Sequence, residues 1–254
     1  MRPAVLAALL LAACGGTTGS DLVSFRAMAG GAVDATSPLT FDTAAGYHVS
    51  LTRARLRIGA VYLNQSTVNS GAGPAPCILP GIYVAEAFGP VTVDLLSPVL
   101  QPFPTLGEGT ATPAKTAEVW LTGGDVNART DPTVIFDVAG TATKGGVAYP
   151  FQGTITISDN WAIPTSSPAL PGANPICKQR IATPIQVDFT PTDGGLLTLR
   201  IHPSGMFQDL DFATLSPAPG SSTLAIPDGP AGAGSNLHRG LLSNSGVYEF
   251  SWSG

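Results

Sequence analysis

Tyr47-His48-Val49-Ser50-Leu51-Thr52-Arg53-Ala54-Arg55-Leu56-Arg57-Ile58-Gly59-Ala60-Val61-Tyr62-Leu63 is a run of strand-forming residues too long for one flat strand. Apolar and polar residues alternate along it, the two-residue period of a strand with one buried face. The alternation changes phase within the run. Tyr47, Val49 and Leu51 define the first set, and Ala54, Leu56, Ile58, Ala60 and Tyr62 define a second on the opposite phase. One extra residue in a strand reverses which positions face inward, so a bulge or corner is predicted at Thr52-Arg53. Arg53, Arg55 and Arg57 then share the other face, read first as a solvated sheet surface and second as a surface for an anionic ligand.

Outward from this run, short β-branched or aromatic stretches recur between Gly, Pro, Asn and Asp, and no window sustains a 3.6-residue period. They predict strands at Leu22–Ala27, Leu39–Thr43, Gly81–Phe88, Val91–Leu96, Ala117–Leu121, Thr133–Ala139, Tyr149–Ile157, Ile185–Thr190, Leu196–His202 and Val247–Trp252. In the last of these, Tyr248, Phe250 and Trp252 fall on one face, so this strand is expected to dock in a sheet. Asn64–Pro76, Pro98–Pro113, Ala162–Pro175 and Leu215–Ser235 lack such a pattern and read as loops. The expectation is an all-β fold, specifically a β-sandwich with Greek-key and hairpin connections and long Gly/Pro-rich loops. No internal repeat is present, and residues 22–254 read as one domain.

Composition supports a folded chain. Charged residues are only 11% of the 254, against about a quarter in a typical soluble protein. Apolar residues make up 44%, enough for a sizeable core. The net charge of −5 becomes −6 once residues 1–13, with Arg2, are removed. No basic cluster is present to meet nucleic acid, and nucleic-acid binding is excluded as an expectation.

The amino-terminal segment speaks to location. Arg2 precedes the apolar run Ala4 to Ala13, which is too short for a permanent bilayer-spanning helix, and the run ends at Leu11-Ala12-Ala13-Cys14-Gly15. This ending resembles the lipobox of bacterial lipoproteins. The resemblance covers only the first twenty or so residues. It implies a signal peptide over residues 1–13, cleavage before Cys14, and fatty acylation of that cysteine. Residues 14–21 then form a lipidated flexible tether, with Gly15-Gly16-Thr17-Thr18-Gly19-Ser20 reaching about 20 Å when extended. Gly15 after the cysteine, in place of Asp, resembles the outer-membrane-sorted lipoproteins, so the resemblance implies a lipid-anchored domain of the cell envelope at the outer membrane. Two or more acyl chains hold stably where one binds marginally.

The two other cysteines, Cys77 and Cys177, lie in proline-rich segments, and an exported chain most often pairs such residues. A disulfide between them would close a loop of about 100 residues, worth at most about 4–5 kcal/mol in the chain-entropy picture. Candidate chemistry beyond this is sparse. His202 and Met206 offer an imidazole and a thioether on one turn, a soft pair suited to copper, with His48 as a further ligand. Asp125-Val126-Asn127-Ala128-Arg129-Thr130-Asp131 spaces oxygen side chains like part of a calcium loop, but Arg129 stands in a ligand place. Asp209 and Asp211 would share a face on a strand, as paired carboxylates of a glycosidase can. The glycine pairs at 30–31, 123–124, 145–146 and 194–195 read as turns. Of Trp120, Trp161 and Trp252, Trp161 in Ser158-Asp159-Asn160-Trp161 is the best-placed loop aromatic for stacking on a sugar. Neither a Gly-x-Ser-x-Gly elbow nor a His-Glu-x-x-His zinc motif occurs. The sequence therefore predicts a membrane-anchored lipoprotein with a non-enzymatic binding or envelope-structural role and no resident cofactor. The alternatives are a periplasmic copper-handling module and a carbohydrate-binding surface lipoprotein.

Overall fold

The computed structural model describes residues 20–66, 82–122, 131–157, 180–229 and 232–254. The signal segment, Cys14 and most of its tether, Cys77, Cys177, Trp161, Gly123, Gly124 and residues 125–130 lie outside the described residues.

Strands dominate. In chain order they are β1 (Leu22–Gly31), β2 (Leu39–Asp42), β3 (His48–Asn64), β4 (Tyr83–Asp94), β5 (Gln101–Pro102), β6 (Gly107–Thr110), β7 (Ala114–Trp120), β8 (Asp131–Lys144), β9 (Val147–Ile157), β10 (Ile181–Phe189), β11 (Leu196–Ile201), β12 (Ser216–Pro217), β13 (Leu224–Ile226) and β14 (Tyr248–Ser253). One helix, α1 (Gly232–Leu241), precedes β14. The all-β class holds. The described strands form one large mixed sheet whose main path runs β12-β13-β9-β8-β3-β4-β6-β1-β11-β14, with β2 and β7 branching at β3, β10 pairing with β7, and β5 branching at β1. The β1–β11 and β9–β13 pairs are parallel and the others antiparallel.

The long run quoted first is the spine. Its beginning lies between β2 and β8, its middle between β4 and β8, and its end between β4 and β7. The expected bulge is present: the β3–β8 register shifts between Leu51 and Arg53, with Val49, Leu51, Ala54, Leu56 and Ile58 all fully buried. A second irregularity was not expected. The β3–β4 register shifts between Ile58 and Ala60, opposite Gly89, which adopts φ +100 and packs so closely on Pro104 that a Cβ there would clash. Beyond it Val61 and Leu63 face the core and Tyr62 turns outward, which corrects the placement of Tyr62 in the buried set.

Two expected strands, Gly81–Phe88 and Val91–Leu96, are the single strand β4, continued through Gly89-Pro90. The stretch Pro98–Pro113 contains β5 and β6, whose Gly107-Glu108-Gly109-Thr110 composition hides a strand. Gly30–Gly31 end a strand instead of forming a turn, and a Cβ on Gly31 would come within 2.5 Å of the Leu95 carbonyl oxygen. The stretch Leu215–Ser235, read as a loop, contains β12, β13 and the start of α1, which has Ala233, Leu237 and Leu241 spaced four apart on its buried face. Gly234 and Gly240 let that helix press on the backbone of Pro227 and Met206. None of the described helices is long and apolar enough to cross a bilayer.

The sheet curls until β10 meets β14. Phe189 stacks on Trp252 with ring centroids 5.6 Å apart, and Phe25 of β1 meets the same indole edge-on at 5.1 Å. A continuous core fills the interior, running from Phe25 and Leu51 to Phe151, Phe207 and Leu241. β14 pairs with β11 from Tyr248 to Ser253, with Tyr248, Phe250 and Trp252 inward of exposed Glu249, Ser251 and Ser253, as the sequence predicted.

Candidate ligand-binding site

The end of β3 carries a cluster on the outer face of the sheet. Glu118 of β7, Tyr62 of β3, Glu86 of β4, Glu108 of β6 and Ser24 of β1 are successive cross-strand partners. Partners point to the same face, and adjacent strands are about 4.8 Å apart, so these side chains form one transverse row. The second irregularity of β3 is what admits Tyr62 to it. Around Tyr62 stand the rings of Trp120, Tyr83 and Phe88, with centroids at 5.0, 5.2 and 5.5 Å. These are edge-on or tilted contacts, each worth about 0.5–1.5 kcal/mol beyond area burial. Tyr83 and Phe88 remain 44% and 43% exposed. Four aromatic rings on the side away from the core, two of them half open, are a surface a ligand can use.

Glu118 anchors the cluster from below with no exposed surface. One carboxylate oxygen accepts from Asn64 Nδ2 at 3.1 Å and from the Tyr83 hydroxyl at 3.4 Å, and the other accepts from Trp120 Nε1 at 2.8 Å. Burial pushes the Glu118 carboxyl above its ordinary range, and the three donors pull it part of the way back. Burial, Glu86 and Glu118 push the Tyr62 phenol up to about 12. The Tyr83 phenol also rises, through burial first and then Glu118. Glu86 is raised by burial and by the Glu108 carboxylate opposite it.

Beside the rings runs a cleft of about 650 Å³ between β1, β4 and β6. Leu22 and Tyr83 wall it, and Glu86, Glu108 and Asp193 give it three carboxylates. Asp193 is positioned by accepting the backbone N–H of Ser24 at 3.0 Å.

The residues singled out in the sequence fall elsewhere. His48 Nδ1 lies 2.9 Å from Asp42, and His202 Nε2 lies 3.1 Å from Glu249. Met206 is 1% exposed and packs in the core beside Phe207. The three occupy a strand start, a strand end and the interior. Among the described residues no group of three His, Cys, Asp or Glu side chains is placed to hold a metal ion. Asp209 and Asp211 are not on a strand, which corrects their shared face. Asp211 caps the 3₁₀ turn Phe212–Thr214, accepting from Ala213 N at 3.1 Å and from the Tyr47 hydroxyl, which holds its carboxyl below the usual range. Asp131 is buried against Arg180, Nη1 to Oδ2 3.5 Å, and accepts from Thr133 N at 3.0 Å. Arg53 pairs with Asp137 at 2.9 Å, and Arg55 has Asp94 and Asp137 as cross-strand partners, so these two members of the arginine stripe have acid on their own face, while Arg57 lies opposite Thr92.

Sequence reasoning missed Glu118, Asn64, Tyr83, Glu86 and Glu108. The available signal was Glu118 within the otherwise apolar Ala117–Leu121, a carboxylate where a strand ought to alternate with something smaller. Comparison with protein-family models, curated proteins and solved structures finds no match to this chain.

Proposed function

We propose that this chain is a membrane-anchored bacterial lipoprotein of the cell envelope, acylated at Cys14, with a non-enzymatic binding role. The binding surface is the outer face of β3, β4, β6 and β7. The observation that carries the reading is the ring cluster around Tyr62, apolar material held on rigid strands and left half open to solvent. Its support from below by Glu118, Asn64 and Trp120 is the preorganisation a binding site needs. The tether expected over residues 14–21 would keep this face close to the outer membrane. With it we propose a sandwich architecture with Greek-key connections, supported by the curl that brings β10 against β14 over a continuous core.

A carbohydrate ligand is the second reading, favoured by the open faces of Tyr83 and Phe88 in place of Trp161. The test is thermal unfolding of the full-length protein in detergent against an aliphatic amine, a neutral oligosaccharide and a phosphorylated headgroup. A ligand specific to the folded state raises the melting temperature. At least one class is expected to do so, with the shift lost in Tyr83→Ala while the fold is retained. No shift from any class overturns the binding role.

A further inference from the structure

We propose that the outer face of β3, β4 and β6 pairs with the same face of a second copy of this chain, about a two-fold axis beside Phe88. This rests on the reading of that face as a binding surface and names its partner. A two-fold interface is self-complementary, so what lies on one side of the axis must suit what lies on the other. Here apolar side chains hold the centre and unpaired charges of opposite sign hold the two ends, the apolar core and polar rim of a protein interface.

The centre is Phe88 and Leu106, 43% and 59% exposed, with Tyr62 packed against Phe88. At one end Glu86 and Glu108 are direct cross-strand partners, and like charges so placed destabilise a sheet unless a cation offsets them. Neither belongs to an ion pair among the described residues. At the other end stands half-buried Arg57, opposite Thr92. It has no ion pair or side-chain hydrogen bond among the described residues, and its buried Nε lacks an acceptor. Arg53 and Arg55 differ, because each has acid beside it. A partly desolvated guanidinium without an acceptor calls for a carboxylate.

The register sets these groups where a two-fold can use them. β4 lies between β3 and β6, so Glu108 is about 10 Å from Arg57 across the sheet. Along the strands the offset is the stretch of β4 from Glu86 to Thr92, at most about 20 Å. The midpoint of that diagonal falls at Phe88-Gly89. A half turn about it sets Arg57 of each copy against Glu108 of the other, and Phe88 against Phe88. A neutral sugar on the same rings would leave all three charges unanswered, which favours the second copy.

The test is sedimentation equilibrium of the full-length protein in density-matched detergent. The native chain is expected to dimerise, and Arg57→Glu and Glu108→Arg are each expected to weaken the dimer by about tenfold or more. The two variants mixed together should recover native affinity, because both contacts of the mixed dimer again join opposite charges. That recovery also shows both variants to be folded. A monomeric native chain, single variants that dimerise like the native protein, or a mixture that does not recover overturns the inference. If the native chain is monomeric while a neutral oligosaccharide gives a Tyr83-dependent melting shift, only the second-copy assignment falls. If it is monomeric and no class of ligand shifts the melt, the binding surface falls with it.

Discussion

Glu118 is a carboxylate buried on the outer side of a sheet, and its cost and purpose are both local. Removing a carboxylate from water is expensive, and three donated hydrogen bonds offset part of that. Its folded-state pKa lies above the unfolded value, so the ionised form weakens the fold at pH above the folded value. The penalty fades as pH falls through that value toward the ordinary carboxylate range. Relative to Glu118→Gln, the native protein is therefore expected to gain stability as pH falls from neutrality toward the ordinary carboxylate range. Denaturant unfolding of both proteins across that pH range checks this, and equal pH dependence would assign the titration elsewhere. Asp211 has the opposite sign. The Tyr47 hydroxyl holds its carboxyl low, so its contribution is present above the unfolded pKa and is lost as pH falls through the folded one. Tyr47→Phe should make the protein unfold at higher pH on acid titration. An unchanged acid midpoint would show that the pair contributes nothing.

β3 shows at the scale of an element how one residue sets a face. The bulge residue keeps Leu51 and Ala54 on the same side although they are three apart. Deleting Thr52 places them two apart, with the same faces buried, and the deletion is expected to fold with a cooperative melt. Inserting one alanine after Leu56 sends Ile58 outward and should abolish folding. Circular dichroism melts of the two variants decide this, and the prediction fails if the deletion unfolds or the insertion is tolerated. The first phase change was legible because polar residues flank each apolar one. The second was not, because Ala60-Val61-Tyr62-Leu63 offers no polar marker of phase. β14 supplies a further test. Removing residues 246–254 bares the edge of β11, takes Trp252 from Phe25 and Phe189, and takes Phe250 from the core. The shortened chain is expected to lose its melting transition, and an unchanged transition would show that β14 is dispensable.

At the scale of the molecule, place and task come from different ends of the chain. Attachment is proposed at Cys14, and the candidate binding row draws on β7, β3, β4, β6 and β1. If the anchor reading holds, intact mass spectrometry of the native protein shows a diacylglyceryl-modified amino terminus. Cys14→Ser should leave the protein in the aqueous phase on detergent phase partition. An unmodified start in the membrane-bound native protein would refute the anchor. Attachment and ligand binding should be separable, since Cys14→Ser leaves the row of carboxylates intact.

Local order in the sequence determined what local order can. Two-residue alternation specified most of the strands, the Thr52 bulge and the inward face of β14, because each depends only on neighbours along the chain. The helix α1, the glycine-rich β6 and the outward turn of Tyr62 escaped it, because their faces are set by what packs against them. The site escaped it for the same reason. Glu118, Asn64, Tyr83, Glu86 and Glu108 come from four strands, and only the register of the sheet makes them neighbours.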